Sequence, residues 1–219
     1  MNGITTIALD FGGVLVHYID HEFIRHMAAA AASPVEPFET ALWKHRHDFD
    51  AGTRSAREYW HTVLQDVPRD STDSNDTTDT DDTIDTLTRL DAAGWSTVRP
   101  AMLRWLPTLR RARYRLLIIS NMAPEVYDLI IRDSVFLDYF ETVILSGWLG
   151  INKPDPRIFT TAIERMSVPP EEILFIDDLK ANVTGARATG LQALHFTDPA
   201  TLARDLSTHY PDIPRTGLV

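Results

Sequence analysis

The chain reads as an α/β protein, a Rossmann-like doubly wound parallel sheet with an all-helical cap inserted after its first strand. Three observations predict this. From Pro100 onward, short aliphatic runs alternate with amphipathic stretches, the spacing of parallel strands joined by crossover helices. An earlier run of the same kind, Ile4 to Leu9, is cut off from the others by a long helical stretch with no strand pattern. Polar residues follow several of the runs, at the edge where open α/β sheets bind ligands.

The elements follow in order. Ile4 to Leu9 is a buried strand that ends at Asp10 and turns at Gly12-Gly13. Asp20 caps a helix carrying Phe23, Ile24 and Met27. Ser33-Pro34 opens a second, with Phe38, Ala41 and Leu42 on one face. A polar segment, HRHDFDAGTRS, connects to a third helix capped by Ser55 and bearing Tyr59, Trp60, Val63 and Leu64. Residues 69–86 form an Asp/Thr/Ser tract with almost no apolar residue. It cannot offset its ordering entropy and reads as a flexible loop. It lacks the glycine a calcium-binding loop needs at its sharp turn.

After Pro100, Met102 to Leu109 mark a helix and Leu116 to Ile119 a strand ending at Ser120-Asn121. Pro124 to Ile131 is helical, and Thr142 to Leu145 is a strand followed by the loop SGWLGINKPDP, where Trp148 is placed to line a site mouth. Asp155-Pro156 starts a helix, with the acid at the cap and proline in the first turn. Ile173 to Ile176 is a strand ending at Asp177-Asp178, and a helix from Ala181 stops at Gly190. Ala193 to Phe196 is the fifth strand, and the tail from Tyr210 reads as loose. The expected organisation is a core of residues 1–16 and 98–219, with 17–97 as the cap.

Composition narrows the function. A chain of 219 residues with 44% hydrophobic content can bury a sizeable core. It has no cysteine, hence neither disulfide framework nor thiolate metal site. The formal charge is −10, but seven acids lie between Asp70 and Asp85 with no Lys or Arg among them, and without those seven unit charges it is −3. Nothing suggests a nucleic-acid surface. No leader pattern opens the sequence, and no apolar run approaches a membrane span, so the expectation is a cytoplasmic protein, monomeric or a small homo-oligomer.

The strand-end residues converge on one edge of a parallel sheet. Carboxylates at Asp10 and Asp177-Asp178, with no cysteine or histidine beside them in sequence, make a hard oxygen site that suits Mg²⁺. Lys153 as a point charge and Ser120 as a hydrogen-bond donor suit a phosphoryl group, and Asp10 is a candidate nucleophile that would form an aspartyl-phosphate. Taken singly, each has a plain use: Ser120-Asn121 as a helix cap, Lys153 at the surface, Asp177-Asp178 as a turn.

DFGGVL, LLIISN, GINKPD and ILFIDDLKANVTGARATG, in this order, resemble the four motifs of the haloacid dehalogenase-like hydrolases. The resemblance implies Asp10 as nucleophile and Mg²⁺ held by Asp10, by the Gly12 carbonyl and by one of the paired acids. Asp178 is favoured for direct coordination, with Asp177 behind it or paired with Lys153, and Asn182 steadying the loop. Gly12, Gly13, Ser120, Asn121 and Lys153 would meet the substrate. The motifs look like those of phosphatases of small phosphorylated metabolites, sugar phosphates among them. A non-hydrolytic phospho-ligand-binding protein and a metal-independent 2-haloacid dehalogenase are the alternatives. One departure stands out. Where most family phosphatases carry a second Asp as general acid and base, this chain has Gly12. His17, His45, His47, Asp48 and Asp50 are candidate substitutes.

Overall fold

The computed structural model describes residues 3–68 and 81–218. Five parallel strands pair in the order β3-β2-β1-β4-β5: β1 (Thr6–Leu9), β2 (Arg115–Ser120), β3 (Thr142–Leu145), β4 (Ile173–Asp177) and β5 (Gln192–His195). Alternate strand residues feed two cores, as the twofold repeat of a strand requires. Ile7, Leu9, Ile118, Leu174 and Ile176 join one that includes Trp105 and Leu109 of α5 (Pro100–Arg111) and Leu206 of α10 (Pro199–His209). Ala8, Leu117, Ile119 and Phe175 join the other, with Phe159 of α8 (Pro156–Met166) and Val183 of α9 (Lys180–Ala188). Helices therefore cover both faces of the sheet.

Register levels the chemistry. Leu9 pairs with Ile118 on one side and Ile176 on the other. The residues just beyond, Asp10 and Asp177, thus emerge side by side, and Asp10 N–H donates to Ile176 O at 3.0 Å. Ser120 closes β2 two residues past that level. Residues that the sequence keeps far apart share one edge because the strands pair in parallel.

Among the described residues, four helices stand between β1 and α5: α1 (His21–Ala30), α2 (Val35–Asp50), α3 (Ala56–Asp66) and α4 (Asp81–Gly94). The chain enters and leaves this insertion along two adjacent strands of backbone, with His17 N–H donating to Thr97 O at 2.8 Å and Arg99 N–H to Leu15 O at 2.9 Å. Asp20 caps α1 as its sequence predicts, accepting from the Glu22 and Phe23 amides, and Ser55 with Glu58 forms a capping box on α3. The remaining helices are α6 (Pro124–Ile130) and the single turn α7 (Ser146–Leu149). No described helix is long and apolar enough to cross a membrane.

Three local expectations are corrected. The polar segment after Leu42 is not a connector down to Asp50: α2 runs through it, burying Arg46 and Phe49. Phe49 stacks on Tyr59 with ring centres 4.5 Å apart, and the charge of Arg46 is met by carboxylates, so a polar sequence can be core. Second, the expected loop ends early. Residues 81–86 begin α4, where Ile84 and Leu87 bury one face and the acids lie at the favourable end of the helix dipole; the stretch 69–80 lies outside the described residues. Third, the tail after Tyr210 is packed. Ile213 and Leu218 are buried, and Trp105 Nε1–H donates to Pro214 O at 2.6 Å.

Trp105 joins the α5 side of the core to this tail. Trp105→Ala should lower stability by about 3–5 kcal/mol, read as a shifted urea midpoint; an unchanged midpoint would show that the tail adds nothing to the core.

Candidate active site

The site is built on one buried ammonium. Lys153 Nζ lies 2.8 Å from Asp10 Oδ1 and 2.8 Å from Asp177 Oδ2, and donates to Ile119 O at 2.8 Å. All three charged side chains are buried. Burial alone would pull the ammonium down, but the Asp10 and Asp177 carboxylates outweigh it and hold Lys153 above the ordinary lysine value. Asn121 aims the loop: its Oδ1 accepts from Lys153 N–H at 2.7 Å, and its Nδ2 donates to Lys153 O at 3.1 Å.

The three acids are not equivalent. Asp177 is saturated: Oδ1 accepts from Leu179 N–H at 2.8 Å, Oδ2 from Lys153, and Asn182 Nδ2 reaches both oxygens at 3.1 Å. Asp178 Oδ2 accepts from the Tyr18 hydroxyl at 2.6 Å, while its Oδ1 is buried with no partner. Asp10 Oδ1 takes the Phe11 amide at 2.6 Å and Lys153, and no described hydrogen bond engages Oδ2. Burial pushes the Asp10 carboxyl up to about 8, Asp177 and Asp178 add to the rise, and Lys153 opposes it. Burial likewise raises Asp178.

Asp10, Asp177 and Asp178 each offer an oxygen within 4.8 Å of the others. An all-oxygen set fits a hard divalent cation, and the orphaned Asp178 Oδ1 is the atom such a cation would satisfy, since a buried carboxylate oxygen without a partner is costly. Gly13 makes room for it. Its φ is +79°, open to glycine, and a Cβ there would overlap the Asp178 carboxylate.

Over this edge lies a cavity of about 170 Å³. Asp10, Gly12, Ser120, Asn121, Lys153 and Asn182 are on its core side, and Trp43, Arg46, Asp50 and Trp95 of the helical insertion face them with Tyr18. Of the five candidate substitutes for the missing acid, Asp50 alone lines it. His45 Nε2 pairs with Asp66 Oδ2 at 2.6 Å, His17 and His47 are exposed, and Asp48, half-buried, pairs with Arg54. Asp50 belongs to a second buried cluster: Arg46 Nε donates to Asp50 Oδ1 and Arg46 Nη1 to Asp91 Oδ1, both at 2.7 Å. Burial pushes the Asp50 carboxyl up to about 6, with Arg46 opposing. Trp148 is not among the lining residues; it is half-exposed and packs edge-on against Tyr127.

Sequence reasoning did not find Tyr18, Trp43, Arg46 or Trp95 as site residues. Trp95 lies within 5.6 Å of the Arg46 guanidinium and edge-on to Trp43 at 6.4 Å, contacts between α2 and the turn after α4 that leave no local pattern.

A family model described as haloacid dehalogenase-like hydrolase matches residues 4–190. Among curated proteins, the chain is 34% identical over 99 residues to a glyceraldehyde 3-phosphate phosphatase of Pyrococcus abyssi, covering 44% of this chain and 41% of that one. It is 32% identical over 96 residues to a phosphoserine phosphatase of Thermus thermophilus, covering 43% and 39%. The chain thus spans about two fifths of the length of these relatives. The structure of a predicted HAD-like family hydrolase from Porphyromonas gingivalis aligns with TM-score 0.66 at 25% identity, over 88% of this chain and 90% of that one. A HAD family enzyme from Bacteroides thetaiotaomicron, in complex with magnesium and inorganic phosphate, aligns with TM-score 0.66 at 20% identity, over 89% and 94%, a likeness of fold alone.

Removing the ammonium leaves two buried carboxylates facing each other. Lys153→Met should lower stability by roughly 3–5 kcal/mol when both acids are ionised. Asp10, already raised, rises further, so the native state holds its proton more tightly than the unfolded chain. The deficit is therefore full above the folded value and shrinks as pH falls toward 5. Urea unfolding in EDTA at pH 5, 7 and 9 reads this; a deficit that does not grow with pH would remove Lys153 from its counter-ion role.

Proposed function

Because this chain belongs to the haloacid dehalogenase-like hydrolase family, we propose that it is a Mg²⁺-dependent phosphatase of small phosphorylated molecules, working through an aspartyl-phosphate on Asp10. The observation that carries this reading is the pairing of a nucleophile oxygen that no described hydrogen bond engages with an orphaned acid: Asp10 Oδ2 and Asp178 Oδ1 share the edge that Lys153 holds together. The phosphatase relatives point the same way. Metal-free displacement of a halide gives the orphaned Asp178 oxygen no use.

Asp10, Asp178 and the Gly12 carbonyl would hold the cation, with Asp177 behind them. Bound there, Mg²⁺ would supply positive charge to the transferring phosphoryl oxygens. The chain's own residues do the remaining work. Asp10 Oδ2 forms a bond to phosphorus as the ester P–O bond breaks, and water then attacks the phosphoryl group, releasing phosphate and restoring the carboxylate. Lys153 keeps the carboxylate aimed and offsets negative charge, and Ser120 presents a hydroxyl to the phosphoryl oxygens. Residues 17–97, as a cap, exclude bulk water by laying Trp43 and Trp95 over the site.

Asp10→Asn should lower phosphate release by a factor on the order of 10³ or more with the circular dichroism spectrum unchanged; retained turnover would overturn the nucleophile assignment. The Asp10 carboxyl, at about 8 without a cation, should lose its proton when Mg²⁺ is added at pH 7. Calorimetric titration in buffers of differing ionisation enthalpy reads that release. Mg²⁺ binding without it, or undiminished phosphatase activity in EDTA, would count against this metal site.

A further inference from the structure

Among the described residues, every ionisable group of the cavity is already engaged by a neighbour. These groups are Asp10, Tyr18, Arg46, Asp50 and Lys153. Asp10 is the nucleophile. Lys153 is engaged by Asp10, Asp177 and Ile119 O. The Tyr18 hydroxyl donates to Asp178 Oδ2 at 2.6 Å. Arg46 does not release a proton, and Asp50, on the helical insertion rather than beside Asp10, has its Oδ1 engaged by that guanidinium at 2.7 Å. The loop just past Asp10 adds nothing, since Gly12 has no side chain and its place is covered: a Cβ there would stand 3.0 Å from Trp95 Cζ3.

The wall that covers it is apolar and aromatic. Tyr18 and Trp43 pack on Trp95 with ring centres 5.8 and 6.4 Å away, Met122, Val126 and Leu179 add apolar surface, and the polar groups on that side, Arg46 and Asp50, are paired with each other. At about 170 Å³ the cavity falls below the roughly 300–1,000 Å³ of common ligand pockets. A polyol brought against such a wall leaves hydroxyls unpaired, each at about 1–3 kcal/mol, whereas a flat ring is taken well by tryptophan and tyrosine faces.

We propose that the substrate of this site is a small aryl phosphate, whose phenolic oxygen leaves unprotonated, rather than the phosphate of a sugar or other alkyl alcohol. The proposal rests on the phosphatase reading above. As Asp10 Oδ2 bonds to phosphorus, the P–O bond breaks and its electron pair departs on the phenolate, which takes a proton from water afterwards. A phenol, at about 10 on the tyrosine scale, tolerates this. An alkoxide, near the roughly 15.7 of water, needs a positioned acid, whose help is typically ~10²–10⁴ in rate.

The test is phosphate release at pH 8 with Mg²⁺ from phenyl phosphate and cyclohexyl phosphate, matched in size, and from acetyl phosphate, which has a good leaving group but no ring. Phenyl phosphate should exceed cyclohexyl phosphate by about 10³ in kcat/KM, and have a KM about tenfold below that of acetyl phosphate. Trp95→Phe should retain that order, and Trp95→Ala should raise KM for phenyl phosphate. Combining Gly12→Asp with Trp95→Ala should restore cyclohexyl phosphate turnover, as an acid enters the space the indole held. Cyclohexyl turnover within tenfold of phenyl in the unaltered protein overturns the inference but leaves the phosphatase reading standing, and its loss in Asp50→Asn would identify Asp50 as the donor. Absence of release from all three esters overturns both.

Discussion

A buried ammonium between two buried carboxylates is the constraint on which the site depends. None of Asp10, Lys153 or Asp177 could lie in that dry position alone, because a lone buried charge is far costlier than a hydrogen-bonded pair. Each therefore requires the other two, and they come from β1, from the loop after α7 and from β4. The parallel register that sets Leu9 beside Ile176 places the acids, and the reciprocal bonds between Asn121 and the Lys153 backbone bring in the cation. Fold and chemistry are one arrangement here. The same pairing that closes the sheet edge also leaves Asp10 Oδ2 and Asp178 Oδ1 for other partners.

A second buried ionic cluster organises the helical insertion. Arg46 bridges Asp50 of its own helix and Asp91 of α4, and its guanidinium lies over Phe49 and Trp95. This joins α2 to α4 and carries Trp95 onto Gly12. The end of α2 is tied in turn to the core: Ser146 Oγ donates to Asp50 O, and Asn152 Nδ2 donates to His47 O at 2.7 Å. Asn152 immediately precedes Lys153. The two ionic clusters are thus linked through a single loop, and the insertion that shapes the cavity roof is anchored beside the residue that holds its floor.

That linkage gives Gly12 a physical reading. An absent side chain can mean lost function or occupied space, and here the space is occupied by the indole of Trp95, just past α4. Gly12 leaves the loop without a side chain, and Trp95 fills its place with an aromatic surface.

The sequence by itself determined what depends on near neighbours. Strand runs, the Asp20 and Ser55 caps, the Asp155-Pro156 helix start and the polar residues at strand ends are legible because capping and alternation act within a few residues. Their meeting at one edge follows from parallel pairing, so the acids and Lys153 could be named from spacing alone. The burial of Arg46, the helical start at Asp81 and the packed tail could not. A buried cation, an acidic first turn and a proline-rich end look like solvated surface until Asp91, Leu87 and Trp105 are found against them. Tyr18 on Asp178 and Trp95 over Gly12 belong to the same class. Only the tertiary structure decided these contacts, because each joins residues far apart in sequence, and a single polar or aromatic residue meeting a distant partner leaves no periodic trace in either segment.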